Sequence, residues 1–250
     1  MEDHDPERYG EAIAADYDDL YEPVLDTEGA VDCLAALAGR GPILEFGVGT
    51  GRLALPLAAR GLPVHGVDAS EAMVERLRQK PGADQVEVTI ADFEQVELAG
   101  RFSLAVLAFN TVFALPSQEA QVGVFANAAR HLGPGGRFVV EAWVPDLSRF
   151  HRGQGVWARP AGTTGASLEL AWLEPVHQMM RTTQVRFSDG DVRLFPANHR
   201  YAWPAELDLM GRLAGMVLEH RWATWRRDRF SAESPAHVSV YRRPPDEGDE

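Results

Sequence analysis

The chain has 250 residues, with 37 acidic and 24 basic side chains and a formal net charge of −13. Hydrophobic content of 45% and charged content of 24% are ordinary for a globular chain. They exclude wholesale disorder and leave length for one large domain or two small ones around a real core. The acidic excess sits at the ends. Glu2, Asp3, Asp5 and Glu7 fall in residues 1–7, and Asp246, Glu247, Asp249 and Glu250 in residues 244–250, with no Lys or Arg in either segment. The remainder holds 29 acids against 24 bases. The balance therefore disfavours a phosphate-binding surface without forbidding a local basic patch, such as Arg221, Arg226, Arg227 and Arg229.

The single cysteine, Cys33, allows neither an intramolecular disulfide nor a thiolate zinc site, and its apolar neighbours mark it as a buried small hydrophobe. The N-terminus lacks the apolar stretch of a signal peptide, and no run of about 18 apolar residues occurs. The expectation is a cytoplasmic protein with no membrane contact, with a homodimer left open.

Short apolar runs alternating with helical periodicity from residue 41 onward predict an α/β fold with parallel strands. Ile43–Phe46 reads as a first strand, Arg52–Arg60 as a helix and Pro63–Asp68 as a second strand. Ser70 caps a helix through Gln79. Val86–Ile90 and Phe102–Phe109 read as strands three and four. Ser117 caps a helix whose Val122, Phe125, Ala126, Ala129 and Leu132 share one face. Gly133-Pro134-Gly135-Gly136 stops that helix, and Arg137–Val144 is the fifth strand. Beyond residue 150 the texture changes to strands without helices, over Ser167–Val176, Met179–Ser188 and Val192–Trp203. Ser188-Asp189-Gly190-Asp191 reads as a hairpin turn. Pro204 opens a helix with Leu207, Met210, Leu213 and Ala214 on one side. Val217–Trp225 and His237–Arg242 are the last strands, and Pro244–Glu250 is an acidic tail. Residues 1–243 thus read as one domain: a core over 15–145, added antiparallel strands over 155–203, and a closing helix and strands over 204–243.

The chemistry concentrates in Glu45-Phe46-Gly47-Val48-Gly49-Thr50-Gly51, which follows a strand and opens a helix. Glycines there permit a tight turn and close approach of a ligand, and the helix start offers free N–H donors. A dinucleotide fingerprint needs glycine or alanine at 52, where Arg52 stands, and a P-loop needs Gly-Lys-Ser/Thr, which is absent. The loop matches a third pattern, an acid followed by three alternate glycines. Asp68 ends the second strand, 23 residues after Glu45, where an acid can accept from both hydroxyls of a ribose. Asp92 and Phe93 follow the third strand, where they can meet an adenine amino group and ring face. Met73 is placed for the other face.

Together these motifs resemble the class I S-adenosylmethionine (SAM)-dependent methyltransferases, over residues 15 to 145. The resemblance implies a Rossmann-like seven-stranded sheet with strands six and seven an antiparallel pair, and SAM over the carboxyl ends of strands one to four. It implies Tyr17, Glu45, Gly47, Gly49, Gly51, Asp68, Ala69, Met73, Asp92, Phe93 and Phe109 as cofactor residues. Ala15-Asp16-Tyr17-Asp18-Asp19-Leu20-Tyr21 looks like the N-terminal Tyr-Asp-x-x-Tyr segment of small-molecule methyltransferases. The strands after 150 look like the substrate-covering sheet of the sugar and glycine N-methyltransferase type.

Methyl transfer from a sulfonium is a direct displacement that needs alignment and exclusion of water, not a metal, and the sequence shows no metal-ligand spacing. On the acceptor side, Tyr21, Asn110 and His199 are the candidate catalytic residues, His199 as a base between Tyr201 and Trp203. Glu141 and Trp143 are candidate pocket residues, and His177 and Arg181 weaker ones, while His65 reads as structural. Phe109–Leu115 carries no His, Lys or acid, so the usual place for a base after strand four is apolar. No Asn/Asp-Pro-Pro-aromatic motif follows strand four, which disfavours nucleic-acid and protein acceptors. The expected partner is a small-molecule acceptor, a natural-product or sugar intermediate, methylated at O, N or C. Two alternatives stay open: a SAM-dependent cyclisation or elimination without methyl transfer, and a non-catalytic SAM-binding protein.

Overall fold

The computed structural model describes residues 10, 11, 13–21, 25–159, 165–188 and 190–245. The acidic segments at 1–7 and 246–250, and Asp189 of the expected hairpin turn, lie outside the described residues.

A short helix α1 (Tyr17–Tyr21) precedes α2 (Thr27–Ala38), β1 (Ile43–Phe46), α3 (Ala54–Ala59), β2 (Val64–Asp68), α4 (Glu71–Arg78), β3 (Val86–Ile90) and β4 (Phe102–Leu107). Then come α5 (Gln118–His131) and β5 (Leu132–Trp143). The inserted strands β6 (Gln154–Arg159), β7 (Gly165–Glu174), β8 (Met179–Ser188) and β9 (Asp191–Arg200) follow. Helix α6 (Pro204–Leu213) and strands β10 (Val217–Trp222) and β11 (Ala236–Arg242) close the chain. The main sheet runs in the order β10-β11-β5-β4-β1-β2-β3. β1 is parallel to both β2 and β4, whereas β11 is antiparallel to β5 and β10 to β11.

Every residue of β1 is buried, as expected of a central parallel strand covered by helices on both faces. Strand alternation sends Leu44 and Phe46 into one core with Phe125 of α5 and Met210 of α6. Ile43 faces the other core, with Leu34 and Cys33 of α2, Leu57 of α3 and Leu77 of α4. Each such side chain contributes about 1.5–3 kcal/mol on burial. Helix starts match the expected caps: Ser70 Oγ accepts from Met73 N at 3.2 Å, and Ser117 Oγ from Ala120 N at 3.1 Å. Each cap is worth about 1 kcal/mol.

Some local expectations are corrected. Ala126 of α5 is exposed, and its buried face instead carries Gln121, Asn127 and His131. These polar groups are tolerated because each is bonded: Asn127 Nδ2 donates to Phe93 O, and His131 Nε2 accepts from Leu98 N. Gly133-Pro134-Gly135-Gly136 does not lie outside a strand but is the first part of β5, tied by Arg243 N–H to Gly136 O. Leu213 of α6 points to solvent, because Met210 and Gly211 occupy the buried side. The strand β6 was not individually foreseen; its Arg149-to-Arg159 surroundings mix polar and aromatic residues with no clean alternation.

The second sheet is antiparallel in the order β6-β7-β8-β9 and is inserted between β5 and α6. No helix among the described residues is long and apolar enough to cross a membrane.

Candidate active site

The loop after β1 turns through left-handed backbone. Gly47 has φ +70°, and a Cβ there would lie 2.9 Å from Thr111 Cγ2, so only glycine lets the chain turn at that point. Gly51 has φ +83°, and a Cβ would strike Leu77 Cγ at 2.9 Å. Gly47 and Gly49 line a large cavity, but Gly51 does not. The third glycine packs the loop onto α4 rather than facing a ligand, which corrects its expected role.

Asp68, at the end of β2, stitches this loop together. Its Oδ2 accepts from Gly49 N at 2.7 Å and its Oδ1 from Ser70 N at 2.9 Å. Burial raises its carboxyl pKa, and these backbone donors pull it back in part. The Ala69 N–H also favours its ionised form, and Asp68, Ala69 and Met73 all line the cavity. Phe93 is also on the wall and packs against Phe46, with ring centroids 5.9 Å apart. Asp92 is exposed, is absent from the cavity wall, and uses its Oδ1 to accept from Glu94 N at 2.8 Å. In this structure it caps a turn through that oxygen.

Glu45 is likewise displaced from its expected role. Alternation along β1 turns it away from the Leu44 and Phe46 face and buries it under the loop. Burial pushes its carboxyl up to about 8, against the opposing pull of Arg52 and the Ala54 N–H. The folded state therefore holds a proton that the unfolded chain releases near 4.5. Stability falls as pH rises between these two values, because the unfolded state binds fewer protons there. Glu45→Gln should flatten the decline of Tm between pH 5 and pH 8 seen in the parent; an unchanged slope would contradict a protonated Glu45.

Helix α1 closes one side of the cavity. Asp18 accepts from Thr50 Oγ1 at 2.6 Å and pairs with Lys80 at 2.7 Å. Asp16 pairs with Arg193 of β9 at 2.6 Å, so the same short segment bridges both sheets. The Tyr17 and Tyr21 rings are 5.0 Å apart, and Tyr21 meets Phe109 edge-on at 4.9 Å. All three line the cavity. Burial raises the Tyr17 hydroxyl pKa, which keeps it protonated at neutral pH.

After β4 two successive non-glycine residues are left-handed, Phe109 (φ +50°) and Asn110 (φ +63°). Such backbone costs about 1–3 kcal/mol per residue, and a set of bonds to the end of β5 and to Trp225 offsets it. Phe109 N donates to Glu141 Oε2 at 2.7 Å, Trp225 Nε1 donates to Glu141 Oε1 at 2.6 Å, and Trp143 N donates to Asn110 Oδ1 at 2.7 Å. Glu141 is therefore a clamp and not an acceptor-pocket residue, whereas Asn110 and Trp143 do reach the wall.

The concave face of the second sheet completes the cavity. Trp157, Glu169, Gln184 and Phe195 form one cross-strand row on it. His199 stands nearer the main sheet, 3.4 Å from Thr182 Oγ1, with Tyr201 and Trp203 beside it on the wall. The row was not foreseen, although the alternation in β7 and β9 carried it once the inward face was known. His177 is exposed and bonded to Glu174, and Arg181 lies on the opposite face of the sheet, so neither reaches the site. His65 is structural, bonded to Thr89 Oγ1 at 2.8 Å.

The result is one cavity of about 1420 Å³, running from the glycine loop to the second sheet. Its loop half fits an adenosyl sulfonium: a turn where a Cβ would clash, an acid on the wall at the β2 end, and Met73 and Phe93 for a flat ring. Residues 43–136 match the family described as a methyltransferase domain. The structure superposes on the CcbJ methyltransferase of Streptomyces caelestis with a TM-score of 0.90 at 39% identity, over 96% of this chain and 99% of that one. An uncharacterized methyltransferase of Geobacillus sp. (strain WCH70) is 37% identical over 92 residues, 37% of each chain. A S-adenosyl-L-methionine-dependent Diels-Alderase of Talaromyces variabilis is 36% identical over 116 residues, 42% of this chain and 37% of that one. The chain thus spans little more than a third of the length of these two curated relatives. With the fold, the loop and a near full-length relative in agreement, the chain belongs to the class I SAM-dependent methyltransferases.

Proposed function

We propose that this protein transfers the methyl group of SAM to an O, N or C nucleophile of a small molecule, a natural-product or sugar intermediate. The carrying observation is the single continuous cavity. At about 1420 Å³ it exceeds the roughly 300–1,000 Å³ of a single-ligand pocket, leaving room for an acceptor beside the cofactor. Asp68 would hold the ribose, and Met73 and Phe93 the adenine. Gly47 and Gly49 would let the methionine part approach the backbone. When bound, SAM supplies a methyl activated by sulfonium charge. The chain's own contribution is alignment and exclusion of water: Tyr17, Tyr21 and Phe109 close one side, and the aromatic wall of the second sheet the other.

The test is incubation with methyl-labelled SAM and a panel of small amines, phenols and aminosugars. Labelled product with matching S-adenosylhomocysteine supports the reading. Turnover of an acceptor with neither would replace it with SAM-dependent chemistry lacking transfer, the second reading. That alternative is supported by the Diels-Alderase alignment and by the absence of a base in residues 109–115.

His199 serves as the proton acceptor in this reading, supported by its place on the wall where both halves meet. His199→Ala should lower kcat about 100-fold while SAM affinity changes less than twofold by calorimetry. A rate within twofold of the parent removes His199 from the mechanism.

A further inference from the structure

The five-residue helix α1 has no buried residue, and helices shorter than about 12–15 residues are marginal in water. Neither apolar burial nor helix propensity therefore fixes it where it stands. Yet it sets Tyr17, Leu20 and Tyr21 on the cavity wall. Upstream, Ile13 and Ala14 are buried and anchor the approach of the chain. Beyond them two carboxylates hold the helix. Asp18 ties it to the glycine-loop side, through Thr50 Oγ1 at 2.6 Å and Lys80 Nζ at 2.7 Å. Asp16, whose carbonyl accepts from Leu20 N at 3.0 Å, ties it to the inserted sheet through Arg193 Nη1 at 2.6 Å.

The Asp16–Arg193 pair is unequal. The Arg193 side chain is 53% exposed and that of Asp16 only 18%. Asp16 Oδ1 accepts from Arg193, while Oδ2 is buried with no hydrogen-bond partner among the described residues. An exposed ion pair contributes little, but a buried charge stripped of its partner is costly. The guanidinium is itself placed, its Cζ 5.2 Å from the centroid of Phe195, a cavity-wall ring on the same strand. Neither Arg193 nor Asp16 lines the cavity.

We propose that Arg193 is a positioning residue for the cofactor: from the inserted sheet it holds α1, through Asp16, against the loop half of the cavity. With α1 released, the side closed by Tyr17, Tyr21 and Phe109 opens to water and SAM loses contacts there. A residue away from the cofactor thereby sets cofactor affinity. Coupling between sites is reciprocal, so SAM in turn strengthens the contact between α1 and β9. The inference rests on SAM binding alone and holds whatever nucleophile receives the methyl.

Calorimetry with SAM and amide hydrogen exchange over residues 13–21, both on the full chain, test it. Arg193→Ala should weaken SAM binding about tenfold, within the usual range for coupled sites, and should speed exchange over 13–21. Arg193→Lys keeps the charge that the single Nη1 contact uses, so its affinity should stay within about threefold of the parent. Asp16→Asn strands no charge, so it keeps the fold while still loosening 13–21. In that background Arg193→Ala should cost less than about twofold, because the two substitutions remove one interaction. An Arg193→Ala protein within twofold of parental affinity overturns the proposal. So does a loss that Arg193→Lys fails to recover, or one of equal size in the Asp16→Asn background. Should Arg193→Ala fail to fold, Asp16→Asn with parental exchange and affinity overturns it equally.

Discussion

Asp68→Ala should abolish useful SAM affinity, weakening it at least about 100-fold by calorimetry. The carboxylate holds the loop through Gly49 N and Ser70 N, and Asp68 lines the cavity. Hydrogen bonds to a charged group are worth about 1.5–3 kcal/mol each, and tenfold in affinity is about 1.4 kcal/mol. Losing the direct contacts and the loop's stitching together comfortably exceeds 3 kcal/mol. Asp68→Asn separates charge from shape. Its amide sets an NH2 against one of the two backbone N–H groups, so affinity should fall nearly as far. The parent should lose affinity on acidification, starting above the pH at which an exposed Asp titrates, because burial raises this carboxyl and only its ionised form accepts from both ribose hydroxyls. The Asn variant should show no such pH dependence. A folded Ala variant with affinity within threefold of the parent would refute the ribose role.

Glu141→Ala should destabilise the protein by about 3 kcal/mol and lower kcat more than it changes SAM affinity. The substitution strands two buried donors, Phe109 N and Trp225 Nε1, each costing about 1–3 kcal/mol when unsatisfied. It also releases the left-handed Phe109 from its side-chain restraint. Relaxation of Phe109 would carry its ring away from Tyr21, and with it one side of the cavity. Glu141→Gln keeps the volume and one acceptor, so it should recover part of the stability. Thermal unfolding and single-turnover rates measure the two effects. A stable Glu141→Ala protein with parental kcat would show that the clamp is dispensable.

The two residues illustrate what a sequence can and cannot reveal. The place of Asp68 was legible because it follows from position: an acid at a strand end, beside a glycine turn, at a spacing set by one βαβ unit. Glu141 occupies an equivalent place on β5, and sequence position alone put it in the acceptor pocket. Which way a strand residue faces near the sheet's end depends on what packs there, and Trp225, 84 residues away, takes one of its oxygens. Glu45 and Gly51 carry the same lesson. Both belong to the recognisable loop, yet Glu45 is buried beneath it with a bond from the Ala54 N–H and Gly51 packs onto Leu77. Asp92 completes the set, its carboxylate turned to a local N–H.

The wall formed by the second sheet was the least legible part. Trp157, Glu169, Gln184 and Phe195 are scattered over 39 positions of chain and meet only through the register of four antiparallel strands. A one-residue slip would exchange them with the side chains of the opposite face.

By itself the sequence determined the α/β class, the strand order of events along the chain and the cofactor loop with Asp68, because these rest on local periodicity, glycine conformations and spacing within one unit. Only the tertiary structure decided which face of the added sheet lines the cavity, which acids are clamps and which face the cavity. Those outcomes depend on long-range register and on burial, where a side chain's partners come from remote parts of the chain and no local pattern encodes them.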